Sequence, residues 1–144
     1  MGGNENADWE LVGIEPEYLE KVWAVVHPWL KNVEEYSGGR LTLETLVDRL
    51  ADGKMQLWVV KGERPVAAVV TEVTEYPNIK YCLIVLASGG NAKSWVRPVI
   101  DELERWAKHN GCNATELLGR RAWLKLLPEY KIERYLLVKE LQDG

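Results

Sequence analysis

The sequence has no phenylalanine, two histidines and two cysteines in 144 residues. His27 and His109 lie far apart and no Cys-x-x-Cys pair occurs, so a structural zinc site is not expected. Cys82 falls in an apolar strand-like run and Cys112 follows a helix-ending glycine. Two such thiols read as buried side chains rather than a disulfide framework, which points to a cytoplasmic protein. No apolar run is long enough to cross a bilayer, and mean hydropathy is −0.25. The opening residues MGGNENADWE lack the basic and apolar regions of a signal peptide. Asn6 stands where an N-myristoylation signal needs Ser or Thr. Repeats and linkers are absent too. The expectation is one domain over 1–144, with 1–8 as a disordered tail, and neither a membrane nor a nucleic acid as partner.

What the sequence does have is tryptophan, seven residues of it, and an uneven charge. Trp9, Trp23, Trp29, Trp58, Trp106 and Trp123 sit at core-like spacings, where indole fills volume and keeps one N–H donor. The net charge is −4. Residues 1–92 carry 8 basic and 14 acidic side chains, whereas residues 93–139 carry 10 basic and 6 acidic ones. A basic later half suits an anionic ligand such as a CoA thioester, or an anionic partner face. The acidic total argues against bulk DNA binding.

Periodicity gives the order of elements. Residues 9–14 read as a short strand. Pro16 opens a helical pattern through Tyr18, Leu19, Val22, Val26 and Leu30, broken or kinked at Pro28, and a second piece runs to Tyr36. Ser37-Gly38-Gly39 stops it. Thr42 is placed to cap the next helix, which ends at Asp52-Gly53. Residues 55–61 and 65–76 form an antiparallel hairpin, and 80–87 a third strand of it. These strands are apolar on nearly both faces, so helices should cover both sides of the sheet. A helix ending at Gly111, a strand at 115–118, a short helix at 120–127 and a last strand at 134–141 complete the chain. The class is α+β with α/β-type layers: a mixed, mostly antiparallel sheet with one parallel crossover.

Between the third strand and the long helix lies ASGGNAKSWVRP (87–98). A glycine turn before a helix is a place to hold a phosphate, because free N–H groups and the helix dipole converge there. It is equally a plain turn with Ser94 as helix cap.

This order, the run KYCLIVLA, the helix VIDELERWAKHNGC and the strand–short helix–strand ending resemble the GNAT superfamily of acetyl-CoA-dependent N-acyltransferases. The ending LLGRRAWLKLLPEYKIERYLLVKEL is similar to that of small GNAT-like proteins of tailed bacteriophages and prophages. The resemblance implies acetyl-CoA as cofactor, its pyrophosphate held before the long helix by a [QR]xxGx[GA] loop. Register against Gly111 puts these positions on Asn91, Ser94 and Val96, so the loop is degenerate. The cofactor-binding stretch implied is Ala87, Ser88, Asn91, Lys93, Ser94, Trp95, Val96 and Arg97. The family's acid tyrosine falls on Leu126, and its conserved asparagine on Gly119. Glu72, on the face of Val66, Ala68 and Val70, is the candidate general base; partial burial would raise its pKa as that role requires.

Two functions stay open. One is an acetyl-CoA-dependent N-acyltransferase. The other is a non-catalytic interaction or structural module, such as a phage virion accessory or host-interaction protein, needing no cofactor and binding a protein partner.

Overall fold

The computed structural model describes residues 9–119 and 123–142. Five strands form one sheet in sequence order: β1 (Glu10–Ile14), β2 (Gln56–Lys61), β3 (Pro65–Glu75), β4 (Lys80–Gly89) and β5 (Ala114–Leu117). The first four are antiparallel, and β4 to β5 is parallel. The crossover between them is the long helix α4 (Ala92–His109). The helices α1 (Leu19–Leu30), α2 (Val33–Tyr36) and α3 (Leu43–Ala51) connect β1 to β2. A four-residue helix, α5 (Trp123–Leu126), comes after β5.

Alternation along the central strands sends side chains to two separate cores. Leu57, Val59, Ala68 and Val70 pack with Val26, Leu30, Leu46 and Leu50 of α1 and α3. Val60, Ala67 and Val69 pack with Trp95, Val96, Val99, Ile100 and Leu103 of α4. The two-sided apolar strands are therefore covered on both faces, as their composition requires. The tryptophans serve this packing, and two of their N–H groups have acceptors close by. Trp58 meets Trp106 edge-on at 5.0 Å, and its Nε1 donates to Thr71 Oγ1 at 3.0 Å. Trp95 Nε1 donates to a backbone carbonyl at the start of its own helix.

Local signals hold where the chemistry is local. Thr42 Oγ1 accepts from the Thr45 N–H at 3.1 Å and caps α3. Gly53 and Gly111, both at positive φ, end α3 and α4 in the same six-residue closure, with Lys54 N–H on Arg49 O and Cys112 N–H on Ala107 O. Pro16 starts a 3-10 turn (Pro16–Tyr18) rather than α1 itself. Pro28 is carried inside the last turn of α1, which ends at Leu30.

The last strand expected over 134–141 is not formed: residues 131–142 are irregular. Pro128 ends the α5 region, and Tyr130 is then tied by its hydroxyl to Thr115 Oγ1 at 2.6 Å and to Glu104 Oε2 at 2.9 Å. That tether lies on the α4 side of the sheet, and the chain beyond Tyr130 does not enter the ladder of β5. The expected helix start at 120–122 and the tail at 1–8 lie outside the described residues.

Candidate functional site

The two edges of β4 differ. On one side β3 pairs with it along its whole length, from Glu75↔Lys80 to Ala67↔Gly89. On the other side β5 pairs only with Tyr81–Ile84. From Val85 to Ser88 that second edge is unpaired among the described residues, beside the start of α4.

A bulge marks the parting. Val70 pairs with Leu86 and Thr71 with Ile84, which leaves Val85 as an extra residue. Ile84 and Ala87 therefore face the α4 core, while Val85 and Leu86 both face the α1–α3 core.

The turn 87–91 closes this region against β3. Gly89 has φ 150°, and a Cβ there would lie 2.4 Å from Val66 O and from Ala67 Cβ. Its lack of a side chain is needed for backbone packing, not for a ligand. Gly90 donates to Val66 O at 3.2 Å, and a Cβ on it would meet nothing within 4 Å. Its carbonyl accepts from Trp95 Nε1 at 2.7 Å.

The helix begins earlier than a Ser94 cap would place it. Asn91 is the N-cap residue, at φ 65°, and its side chain makes no cap hydrogen bond. Ser94 lies in the first turn, its N–H on Asn91 O at 2.9 Å. The leading N–H groups of α4 have no intrahelical acceptor. Lys93 is exposed there and forms no ion pair with a described residue. Arg97 is engaged elsewhere, with Glu129 and, at 3.8 Å, with Asp101. The hydrogen bond to Glu129 raises the Arg97 pKa further. An anion at this helix start would thus meet backbone N–H groups and Lys93, with Arg97 already neutralised.

Beside the parting of β4 and β5, on its α4 side, Trp95, Val96, Tyr36, Leu117 and Trp123 line a cavity of about 10 Å³, room for one water at most; Tyr36, Ile84, Leu117 and Trp123 also line the large cleft on the other side. Val96 is only 2% exposed and belongs to the α4 core. Ala87 lines the same cavity, and Ser88 pairs with Ala68 near the end of β4.

Beyond β5 the molecule opens into a cleft of about 1260 Å³, lined among others by Tyr36, Arg49, Glu72, Tyr81, Glu116 and Arg134. Glu72 projects into it from β3, with its side chain 23% exposed and 3.5 Å from Arg49 Nη1. Alternation located Glu72 correctly on the α1–α3 face. Thr71, its neighbour, faces the other way and is buried, donating to Gln56 Oε1 at 2.8 Å.

Leu126 packs against the α4 core and offers no proton. The hydroxyl of Tyr130 is held by Thr115 and Glu104, and burial, first among the causes, pushes its pKa up. Neither supplies a free acid at the parting of β4 and β5. Cys82 and Cys112 are both free thiols; Cys82 is buried, as expected, which pushes it up to about 12, whereas Cys112 is only half-buried. His27 packs on Trp23 at 5.3 Å, and His109 is exposed in the last turn of α4. Among the described residues no cluster of His, Cys, Asp or Glu could hold a metal, and no helix is long and apolar enough to cross a membrane.

Sequence reasoning missed Tyr36 and Trp123. They come from α2 and α5, far apart in the chain, and only the fold brings both to the parting.

No family model matches the chain, and no curated protein matches it by sequence. Solved structures do match. A "probable acetyltransferase" superposes with TM-score 0.67 at 9% identity, covering 94% of this chain and 99% of that one. A "predicted acetyltransferase with acetyl-CoA" from Clostridium acetobutylicum gives 0.61 at 12%, covering 91% and 96%. A GCN5-related N-acetyltransferase from Ralstonia eutropha gives 0.59 at 17%, covering 94% and 99%. The fold is the GNAT fold. At these identities the likeness extends to the GNAT architecture of the chain and leaves its chemistry to its own residues.

Proposed function

We propose that this chain is an acetyltransferase-like protein in which the GNAT fold persists without acetyl-CoA-dependent N-acyl transfer. The observation that carries this reading is the close packing of α4 against the parting of β4 and β5. Val96, 2% exposed, stands where the GNAT resemblance calls for Gly or Ala, and the cavity beside it is about 10 Å³. Asn91 for Gln or Arg, Ser94 for Gly and Leu126 for Tyr point the same way. The role left to such a fold is that of a non-catalytic interaction module. The likeness of the chain's ending to small phage GNAT-like proteins supports a phage- or prophage-encoded virion accessory or host-interaction protein.

Two observations favour the second reading, an active N-acyltransferase. The cleft beside Glu72 is large and open, and Lys93 has no ion-pair partner among the described residues at an uncapped helix start. Thermal unfolding with increasing acetyl-CoA separates the two. A bound cofactor stabilises the folded state by RT ln(1 + [L]/Kd), about 2.7 kcal/mol at one hundred times Kd. No shift at millimolar acetyl-CoA is the expected result. A saturable shift that Lys93→Ala weakens would overturn the loss of cofactor binding and favour the active reading instead. Val96→Gly loosens that packing and should raise affinity if the α4 start is the phosphate site.

A further inference from the structure

Helix α1 carries an apolar stripe that its own molecule leaves half uncovered. Tyr18, at its cap, and Val22, Val25 and Trp29 are spaced four, three and four residues apart, the seam of two packed helices. Val22 and Trp29 lean on the core below, but Tyr18 is 45% exposed and Val25 43%. The helix already buries one stripe against the sheet, through Leu19, Val26 and Leu30. The seam is a second apolar stripe, turned about a quarter of the way round the helix. A second stripe is what a helix presents to a second partner.

The helix beside it is acidic. α3 packs against α1, and its exposed Glu44, Asp48 and Asp52 recur every four residues along one stripe. None of the three forms an ion pair with a described residue. Asp48 lies in the last turn of α3 and Asp52 at its C-cap, where the helix dipole favours a cation over a carboxylate. Residues 15–52 hold eight acidic and four basic side chains, so this layer is as negative as the whole chain. At one end of the seam Lys21 Nζ lies 5.2 Å from the centre of the Tyr18 ring, so the stripe already accepts one ammonium.

An apolar seam with an acidic flank is the complement of a basic amphipathic helix. A second copy of this chain is a poor fit. It would bring two acidic layers together, and one helix of 12 residues offers less than the roughly 800 Å² a side that a stable pair buries.

We propose that the α1 seam and the acidic stripe of α3 together dock a basic amphipathic helix of a partner protein. Its apolar side chains pack between Tyr18, Val22, Val25 and Trp29, and its lysines or arginines face Glu44, Asp48 and Asp52. The proposal rests on the interaction-module reading and names the chemistry of the partner.

Calorimetric titration of the full chain with two synthetic helices tests it. Both are about 18 residues long with leucine at the seam positions; one carries lysine on its flanks and the other glutamate. The expected result is one-to-one binding of the lysine peptide, weakened by salt, with the glutamate peptide about tenfold weaker or more. Val25→Ser should weaken the lysine peptide about fivefold, and Asp48→Lys about tenfold. Both variants should melt cooperatively, because both positions are exposed. Equal affinity for the two peptides, no binding of either, or binding indifferent to both variants would overturn the proposal. Self-association that Val25→Ser abolishes would give the seam to a second copy and overturn it too. Acetyl-CoA titrated into the same sample keeps the two readings apart. A saturable cofactor shift overturns the module reading, whatever the peptides do; failure of the lysine peptide with no cofactor shift overturns the docking alone.

Discussion

The two flanks of β4 were built from similar apolar sequence and came out unlike. Toward β3 the strand is paired to its end, and the turn at Gly89 presses on Val66 and Ala67 with no space for one methyl group. Toward β5 it is paired for four residues, then opens to side-chain packing from α4, α2 and α5. The first flank is fixed by backbone hydrogen bonds and tolerates almost no change of volume. The second is fixed by side chains, and side chains decide whether it is a channel or a plug. The fold can thus be retained while the packing on this flank changes, because those side chains are not what holds the sheet together.

The contrast can be broken most severely at Gly89. Gly89→Val puts a branched side chain into the Val66 carbonyl at a φ that L-residues rarely adopt. It should cost about 3 kcal/mol or more, read by chemical denaturation. Next is Thr71→Val, which keeps the shape and strips Trp58 Nε1 and Gln56 Oε1 of their shared partner. A loss of about 1–3 kcal/mol is expected, with a change in tryptophan emission. On the β5 flank Tyr130→Phe should cost only about 1 kcal/mol, since Thr115 and Glu104 keep access to water. The smallest effect belongs to Glu116. Burial raises its pKa, against the attraction of Arg134. The folded state therefore holds this proton to higher pH than the unfolded chain. Its stabilising contribution is complete below the ordinary carboxyl range and is lost as pH rises through the raised value. Glu116→Gln should flatten that decline above the ordinary carboxyl range in denaturation midpoints.

The sheet, the antiparallel hairpins, the parallel crossover, the Thr42 cap and both glycine stops were legible because each depends on a few neighbouring residues. Glu72 was placed on the right face by alternation alone. Arg49 opposite it was not legible, since the pairing exists only after α3 folds onto that face. The glycine turn before α4 was readable, but not the reason for its first glycine, which is contact with β3. The missing last strand is the clearest departure. Residues 134–141 have the composition of a strand, and composition does not say where Tyr130 anchors the chain before them.

The bulge at Val85 gives the strand a parity. Up to Ile84 even-numbered residues face α4; past Val85 odd-numbered Ala87 does. Were Val85 to pair as an ordinary residue, with no bulge, Leu86 would turn toward α4 and Ala87 toward α1, reversing both cores with the composition of the strand unchanged; deleting Val85 would leave both facings as they are. The bulge is therefore as much a determinant of the molecule as the residues of β4.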